Sequence, residues 1–244
     1  MDDPSLKPKY RRVILKLSGE AVGYPGGKHG ISIDETLNVA RQVKRVHERG
    51  VQIAVVVGGG NIIRGSQFAA GGVIRESSAH YMGMLSTVLN GLALQDALES
   101  LDVYTRLMTA IRMESVAEPF VRRRAIRHLE KGRVVILAAG TGNPYVTTDT
   151  GAALRARELE VDILLKATKV DGIYSDDPML NPHAIRYERL THSQLIKDGL
   201  KVMDTAAITM CKDGKLPILV FDFKKEGNIE RAIAGHPIGT LVES

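Results

Sequence analysis

Five short, nearly continuous apolar runs, each followed by glycines, hydroxyls or lysines, set the limits on what this chain can fold into. The runs cover 13–17, 52–57, 134–138, 162–166 and 217–221. They are rich in Val, Ile and Leu and do not alternate with polar residues, which is the pattern of strands covered on both faces. A helical stretch over 33–49 separates the first two. Ser32 and Glu35 form a capping-box pattern at its start and Gly50 ends it, with Ile33, Leu37, Ala40, Val43 and His47 on one stripe. Strand–helix alternation of this kind predicts an α/β fold: a parallel sheet with helices on both faces. Ligands of such sheets gather at the carboxyl ends of the strands, so the chemistry is expected just after each run.

Four strand ends carry it. They are Lys16-Leu17-Ser18-Gly19-Glu20, then Gly58-Gly59-Gly60-Asn61 with Arg64, then the stretch from Gly140 to Asp149, then the stretch from Lys166 to Tyr174. Glycine lets backbone N–H groups approach phosphate oxygens with no Cβ in the way. Lysine adds a point charge, and a helix N-terminus adds a favourable dipole. Each piece alone has a plainer reading. A triple glycine is also a tight turn, and Thr147-Thr148-Asp149 is also an N-cap for the helix through Ala152, Ala153 and Leu159. Four such loops together point to a polyphosphate.

Familiar alternatives are missing. There is no G-x-x-x-x-G-K-[ST] phosphate loop. Gly140-Thr141-Gly142 opens like a dinucleotide fingerprint, but Tyr145 stands where its third glycine belongs. No His/Cys set has zinc spacing, and no G-x-S-x-G elbow is present. A net charge of +5 suits anionic substrates but is too weak to argue for nucleic acid, and Arg122-Arg123-Arg124 with Arg127 and His128 reads as a solvated helix face. The single cysteine, Cys211, suits a reducing compartment. No run reaches the ~18–20 apolar residues of a membrane span. Met1-Asp2-Asp3-Pro4 lacks the basic and apolar regions of a signal peptide. A cytoplasmic protein with no membrane association is expected.

Lys-Leu-Ser-Gly-Glu, Val-Gly-Gly-Gly-Asn, Gly-Thr-Gly-Asn-Pro-Tyr and Lys-Ala-Thr-Lys-Val-Asp-Gly-Ile-Tyr, in that order, resemble the amino-acid-kinase superfamily over 10–242. The glycine loop and Val-Asp-Gly-Ile-Tyr are shared widely in it. The segment from Thr141 to Asp149 is more specific and resembles the uridylate loop of bacterial UMP kinases, as do Met82-Gly83-Met84-Leu85, residues 90–98 and Lys201-Val202-Met203-Asp204. The resemblance implies a three-layer αβα sandwich with a largely parallel central sheet. It would form one domain over 10–244 behind a flexible tail at 1–9, with the acceptor bound by the part up to about 150 and ATP by the part after it. It implies ATP-dependent phosphorylation of UMP in pyrimidine synthesis, with Mg²⁺ carried on the ATP phosphates.

The same resemblance assigns roles. Lys16, Leu17, Ser18, Gly19, Gly60 and Arg64 would meet ATP phosphates, and Thr168, Tyr174 and Asp177 the rest of that nucleotide. Gly59 and the loop Thr141, Gly142, Asn143, Pro144, Tyr145, Val146, Thr147 and Thr148 would hold UMP. Lys16 and Lys166 would neutralise the transferring group, with Asp149 either ordering a metal-bound water or, as the preferred reading, capping its helix. The family's acidic ribose contact is replaced here by His80, and a shift of register would bring Glu76 into that role. GTP and UTP are the implied regulators, near Asp96, Arg106 and Arg133, in a homohexamer. The stretch 80–98 is apolar nearly all round a helix, so the side away from the sheet needs a cover, either the same helix of a second subunit or another helix of this chain, and the resemblance favours the subunit. The competing readings are a carboxylate kinase of the same fold, such as an acetylglutamate kinase, and a nucleotide-sensing regulator without activity.

Overall fold

The continuous apolar runs become the middle of one sheet, because only there does a strand have a helical layer on each side. A computed structural model of the chain describes residues 6–63, 73–178, 180–200 and 202–244. In chain order the strands are β1 (Arg12–Leu17), β2 (Gln52–Val57), β3 (Thr105–Thr109), β4 (Glu118–Pro119), β5 (Val134–Ala138), β6 (Ile163–Thr168), β7 (Ile173–Tyr174), β8 (Arg186–Tyr187), β9 (Arg189–Thr191), β10 (Ile218–Asp222) and β11 (Gly239–Glu243). The α-helices are α1 (Ile33–His47), α2 (Glu76–Glu99), α3 (Arg122–Glu130), α4 (Thr148–Glu158), α5 (His192–Lys197), α6 (Thr205–Asp213) and α7 (Asn228–Ala234).

Nine strands form one sheet in the order β4-β3-β5-β2-β1-β6-β10-β11-β9. Every pairing is parallel except β10 with β11. β7 and β8 make a separate antiparallel hairpin. Alternate residues of β1 divide the core. Val13, Leu15 and Leu17 face the layer holding Val39, Val43 and Val46 of α1, Val88 and Leu94 of α2, and Ile229 of α7. Ile14 faces the layer holding Leu129 of α3, Ala152 and Ala156 of α4, Leu195 of α5 and Ile208 of α6. This is the expected αβα sandwich.

Successive crossovers leave β1 with β2 on one side and β6 on the other. The crevice at a switch of this kind opens at the carboxyl ends of those strands. The strands outside the five expected runs are short or interrupted by polar side chains: β3 reads Thr-Arg-Leu-Met-Thr and β11 Gly-Thr-Leu-Val-Glu. The stripe expected on α1 is corrected by about one residue: Ala40 and Val43 are buried as expected, while Leu37 and His47 are only half-buried. The buried residues are Thr36, Val39, Ala40, Gln42, Val43 and Val46, while Ile33 is 75% exposed. Ser32 caps this helix, accepting from the Glu35 N–H, but its own N–H goes to Val22 O, so the reciprocal half of the expected capping box is not made. Among the described residues, no helix is long and apolar enough to cross a membrane.

Candidate active site

Lys16 and Lys166 are register partners on the neighbouring strands β1 and β6. In a parallel ladder such partners project to the same face, here the side of α4 and α6. Both come at the strand ends, where the sheet stops and an ammonium group can reach the crevice. Asp149, in the first turn of α4, lies between them. Its Oδ1 is 2.7 Å from Lys16 Nζ and its Oδ2 2.6 Å from Lys166 Nζ. All three side chains are only 10–15% exposed. Lys166 also donates to Val202 O. The preferred reading of Asp149 as a cap is therefore corrected. Thr147 is the N-cap, its hydroxyl accepting from the N–H groups of Asp149 (3.1 Å) and Thr150 (3.3 Å), and this leaves the Asp149 carboxylate free to pair with two cations.

The electrostatics of this triad are set by burial and by charge count. Burial raises the cost of ionising Asp149, but the adjacent ammonium groups of Lys16 and Lys166 outweigh it and hold the carboxyl below the usual range. For Lys166, burial lowers the pKa, Asp149 restores part of it, and repulsion from Lys16 lowers it again; the net direction is down. Two cations sharing one anion give the triad itself a charge of +1, which favours an incoming phosphate, opposed in part by the Asp204 carboxylate, whose charge also acts on Lys166.

Two glycine-bearing loops rise beside the triad. The one after β2 is packed tightly against its neighbours. A Cβ on Gly59 would lie 2.7 Å from Gly83 O and 2.8 Å from Ser86 Cβ of α2, and one on Gly19 would lie 2.8 Å from Gly60 N. Close packing therefore accounts for these glycines and also leaves their backbone unscreened. Asn61 and Asn90 exchange amide hydrogen bonds (3.0 and 2.7 Å), Asn90 donates to Gly58 O (2.7 Å), and Asn61 donates to Gly30 O (2.9 Å). Leu17 is buried in the core and meets this loop through its carbonyl, which accepts from Gly58 N. Ser18 heads the 3-10 turn over Gly19–Ala21.

The loop after β5 is built differently. Ala139, Gly140, Gly142 and Tyr145 all have positive φ, from 54° to 82°, so the chain turns sharply four times before α4. Its internal bonds are few: Gly142 N to Ala139 O, and Asn143 to the Thr141 hydroxyl and carbonyl. Tyr145 is 66% exposed, and its ring centroid is 5.2 Å from that of His80. The His80 Nε2 is 3.8 Å from Glu76 Oε1, so the two candidates for the ribose contact sit one helical turn apart on α2. Pro144, Val146 and Thr148 complete the loop and are half-buried.

On the other side of Lys166, a hollow of about 600 Å³ is lined by Tyr174, Asp177, Ile173, Leu200 and Val202. Asp171 fixes one wall by accepting from the Tyr174 hydroxyl (2.6 Å) and pairing with Arg186 (3.1 Å). Thr168 turns back to bond Val170 at the end of β6. A cleft of about 460 Å³ lies beyond Gly60, between Lys28, Lys169 and Lys224, with Lys169 paired to Glu20. Arg64 lies outside the described residues.

Lys16, Lys166, Asp149, Gly59, Gly60, the 141–148 loop and the Tyr174–Asp177 hollow thus share one end of the sheet. Asp96, Arg106 and Arg133 do not. Arg106 is at the start of β3 and Arg133 just before β5, at the opposite ends of the strands. They are joined through Arg106–Glu118 (3.5 Å), Glu118–His128 (3.2 Å) and His128–Arg133 (2.9 Å). Asp96 is exposed on α2.

Asp204 and Asn90 lie in segments that carry the resemblance but are given no role by it, and the sequence patterns do not single out Thr150 or Thr87. Asp204 caps α6 through the Ala207 N–H and accepts from the hydroxyls of Thr147 and Thr150, tying the end of the 141–148 loop to the segment that meets Lys166. Burial pushes its pKa up, but the hydrogen bonds from Thr147, Thr150 and the Ala207 N–H together outweigh it and hold the carboxyl below the usual range. The available signal was a fully polar Asn at position 90 inside an apolar helix, where it must find partners.

Residues 11–222 match the model of the amino acid kinase family. The fold is similar to the UMP kinase of Bacillus anthracis, with a TM-score of 0.92, 36% identity, and coverage of 96% of each chain. It is similar to the UMP kinase of Ureaplasma parvum, with a TM-score of 0.90 and 34% identity, covering 97% of this chain and 100% of that one. The uridylate kinase of Archaeoglobus fulgidus is more distant, with a TM-score of 0.73 and 28% identity over 94% of this chain and 99% of that one.

Proposed function

The chain belongs to the amino acid kinase family and, within it, to the UMP kinases, and from that premise we propose that it moves the γ-phosphoryl group of ATP onto the phosphate of UMP. The observation that carries the reading is the pair of buried ammonium groups, Lys16 and Lys166, held on adjacent strand ends by one carboxylate.

Phosphoryl transfer asks for positioning and charge neutralisation more than for covalent help. The acceptor is a phosphate oxygen, already anionic at neutral pH because a phosphomonoester's second pKa is about 6. No base is needed to activate it. The obstacle is repulsion between two anions brought together. In this reading Lys16 and Lys166 offset that repulsion from one side, and the N–H groups of Gly19, Gly59 and Gly60 do so from the other. Asp149 keeps the two ammonium groups aimed and separated without cancelling their combined charge. The nucleoside of ATP occupies the hollow at Tyr174 and Asp177. UMP lies along the 141–148 loop with its ribose towards His80. Mg²⁺ enters as part of the substrate on the ATP phosphates; this accords with Asp149 being already engaged by two cations.

The same reading extends to assembly, a homohexamer built from dimers. Its support is a stripe on α2, where Tyr81, Leu85 and Leu89 are 44%, 47% and 50% exposed at successive turns of the helix. Three large apolar residues in line on one helix fit a symmetric contact with the same helix of another subunit. GTP and UTP would act through the Arg106–Glu118–His128–Arg133 chain near Asp96, remote from the phosphoryl-transfer end. A cytoplasmic place in pyrimidine synthesis follows from the reaction.

The test is a panel of UMP, CMP, acetylglutamate and aspartate with MgATP and purified protein, following ADP release. A loop that hydrogen-bonds one base edge rejects an analogue that leaves its groups unpaired. The expected result is a kcat/KM for UMP at least ~10²-fold above that for CMP, with no turnover of the carboxylates. Equal efficiency on UMP and CMP, or turnover of a carboxylate alone, overturns the substrate assignment. Light scattering decides assembly: a stable active monomer of 26.6 kDa removes the hexamer.

A further inference from the structure

α2 presents two unlike faces. The exposed stripe is Tyr81, Leu85 and Leu89; the buried one carries Ser86, Thr87 and Asn90, with Gly83 half-buried beside them. The buried polar groups do more than serve the helix itself. The Thr87 hydroxyl, 4% exposed, donates to Met84 O one turn back and accepts from the N–H of Ala139 at 2.7 Å. Ala139 is the residue at which the chain leaves β5 with positive φ and begins the 141–148 loop. The Asn90 amide has no exposed surface at all. It spans the other loop, donating both to Gly58 O and to Asn61 Oδ1 while accepting from Asn61. Between them, Gly83 O and Ser86 form the floor on which Gly59 rests.

A buried hydroxyl or amide inside an apolar helix is unfavourable unless its partners are met, and these partners are the first backbone groups of both substrate loops. We propose that Thr87 and Asn90 are positioning residues for phosphoryl transfer, Thr87 setting the acceptor loop through Ala139 and Asn90 setting the phosphate loop through Gly58 and Asn61. The inference rests on the UMP kinase reading above and assigns the placement of both loops to one helix. The division of labour is specific. Neither side chain reaches the crevice, since the backbone of each loop lies between the side chain and the substrate. Loss of the Thr87 hydroxyl frees the start of the acceptor loop and leaves the Asn61–Asn90 pair intact. Loss of the Asn90 amide frees Gly58 and Asn61 and leaves Ala139 held.

The experiment measures KM for ATP and for UMP in Thr87→Val, Thr87→Ser, Asn90→Leu and the milder Asn90→Ser, which covers the case in which the leucine variant does not fold. Amide hydrogen exchange is followed in the same proteins at 58–61 and 139–145. Thr87→Val is expected to raise KM for UMP about tenfold, the scale of one lost hydrogen bond, with KM for ATP within about twofold. Exchange should quicken at 139–145 and not at 58–61, and Thr87→Ser should restore both. Asn90→Ser is expected to reverse the pattern, with KM for ATP rising at least as much as that for UMP and exchange quickening at 58–61. Parallel changes in both KM values that track the melting temperature in every variant would reduce the two residues to packing and overturn the proposal, as would unchanged KM and exchange. A native protein with no UMP-dependent ADP release sinks the reaction instead, while the loop-selective exchange still stands or falls by its own result.

Discussion

The charge centre and the acceptor loop sit side by side and are built on opposite terms. Lys16, Asp149 and Lys166 come from two strands and a helix turn, are almost wholly buried, and are already paired with one another. The loop over 141–147 has Thr141, Asn143 and Tyr145 with few partners outside itself, and its bends are held by backbone conformations that L-residues seldom adopt. On the proposed reading, what is fixed in advance is the charge that meets the transferring group, and what is left to the ligand is recognition of the base. Electrostatic preorganisation costs no reorganisation at the moment of reaction. A binding loop, by contrast, must open to load and release. Substitutions in the first region should therefore fall on kcat, and substitutions in the second on KM for UMP.

The largest test is Lys16→Ala. Removing one of two stabilising cations should lower turnover at least ~10²-fold while KM for UMP changes little. Asp149 keeps Lys166 as a partner, so the fold should survive, as read by circular dichroism. A variant with near-native kcat would falsify the assignment of Lys16 to the charge centre.

pH separates the charge requirement from stability. The Lys166 pKa lies below the ordinary 10.5, first through burial. Its proton is therefore lost as pH rises through that lowered value, while an unfolded chain still holds its own. In that window the unfolded state binds more protons, so Lys166's contribution to stability rises with pH. Turnover needs the charged form and falls, by up to about tenfold per pH unit beyond the pKa. An alkaline loss of kcat at a steady or rising melting temperature is the expected signature. If turnover and melting fall together, the limb reports unfolding and not Lys166.

In the acceptor loop, Gly142→Ala should cost less. Its φ of +82° puts an alanine in left-handed backbone, and the new Cβ would sit 3.3 Å from Ala110 Cβ. That conformation costs about 1–2 kcal/mol, or roughly five- to thirtyfold in KM for UMP, with kcat moving less. A drop in kcat at unchanged KM would mean that this loop, too, is part of the fixed machinery.

The two regions also differed in how far the sequence disclosed them. The strands of the centre announced themselves as continuous apolar runs, and a lysine beside such a run has few places to go except the sheet end. The triad between them was hidden, because Asp149 and Lys166 are seventeen positions apart and meet only when α4 returns over β6. A Thr-Thr-Asp tripeptide offers three capping residues, and only the folded helix decides that Thr147 takes the cap and Asp149 the lysines. The short edge strands β4 and β9 left no periodic signal. The polar face of α2 was masked by the apolar residues on every other side of that helix. The loop partners of its Thr87 and Asn90, Ala139 and Gly58, are distant in the sequence and are brought beside them only by β5 and β2.

The smallest effect should come from His80, at the seam between α2 and the acceptor loop. Its ring lies against Tyr145 with an interplanar angle of 53°, a tilted arrangement, and its Nε2 is within ion-pair distance of Glu76. Tyr145 is mostly exposed and Glu76 side-chain exposure is 66%, so solvent competes for every one of these contacts. A ring pair of this kind contributes about 0.5–1.5 kcal/mol, and a neutral hydrogen bond to a ribose hydroxyl is of the same order. His80→Ala should then raise KM for UMP by roughly two- to tenfold and leave kcat and KM for ATP alone. Glu76→Gln separates the two candidates. If His80 makes the ribose contact and Glu76 only stands behind it, Glu76→Gln changes KM for UMP by less than about twofold, since an exposed pair of this type contributes little. If instead Glu76→Gln weakens UMP more than His80→Ala does, the carboxylate has taken the ribose contact and the ring of His80 serves only to brace Tyr145.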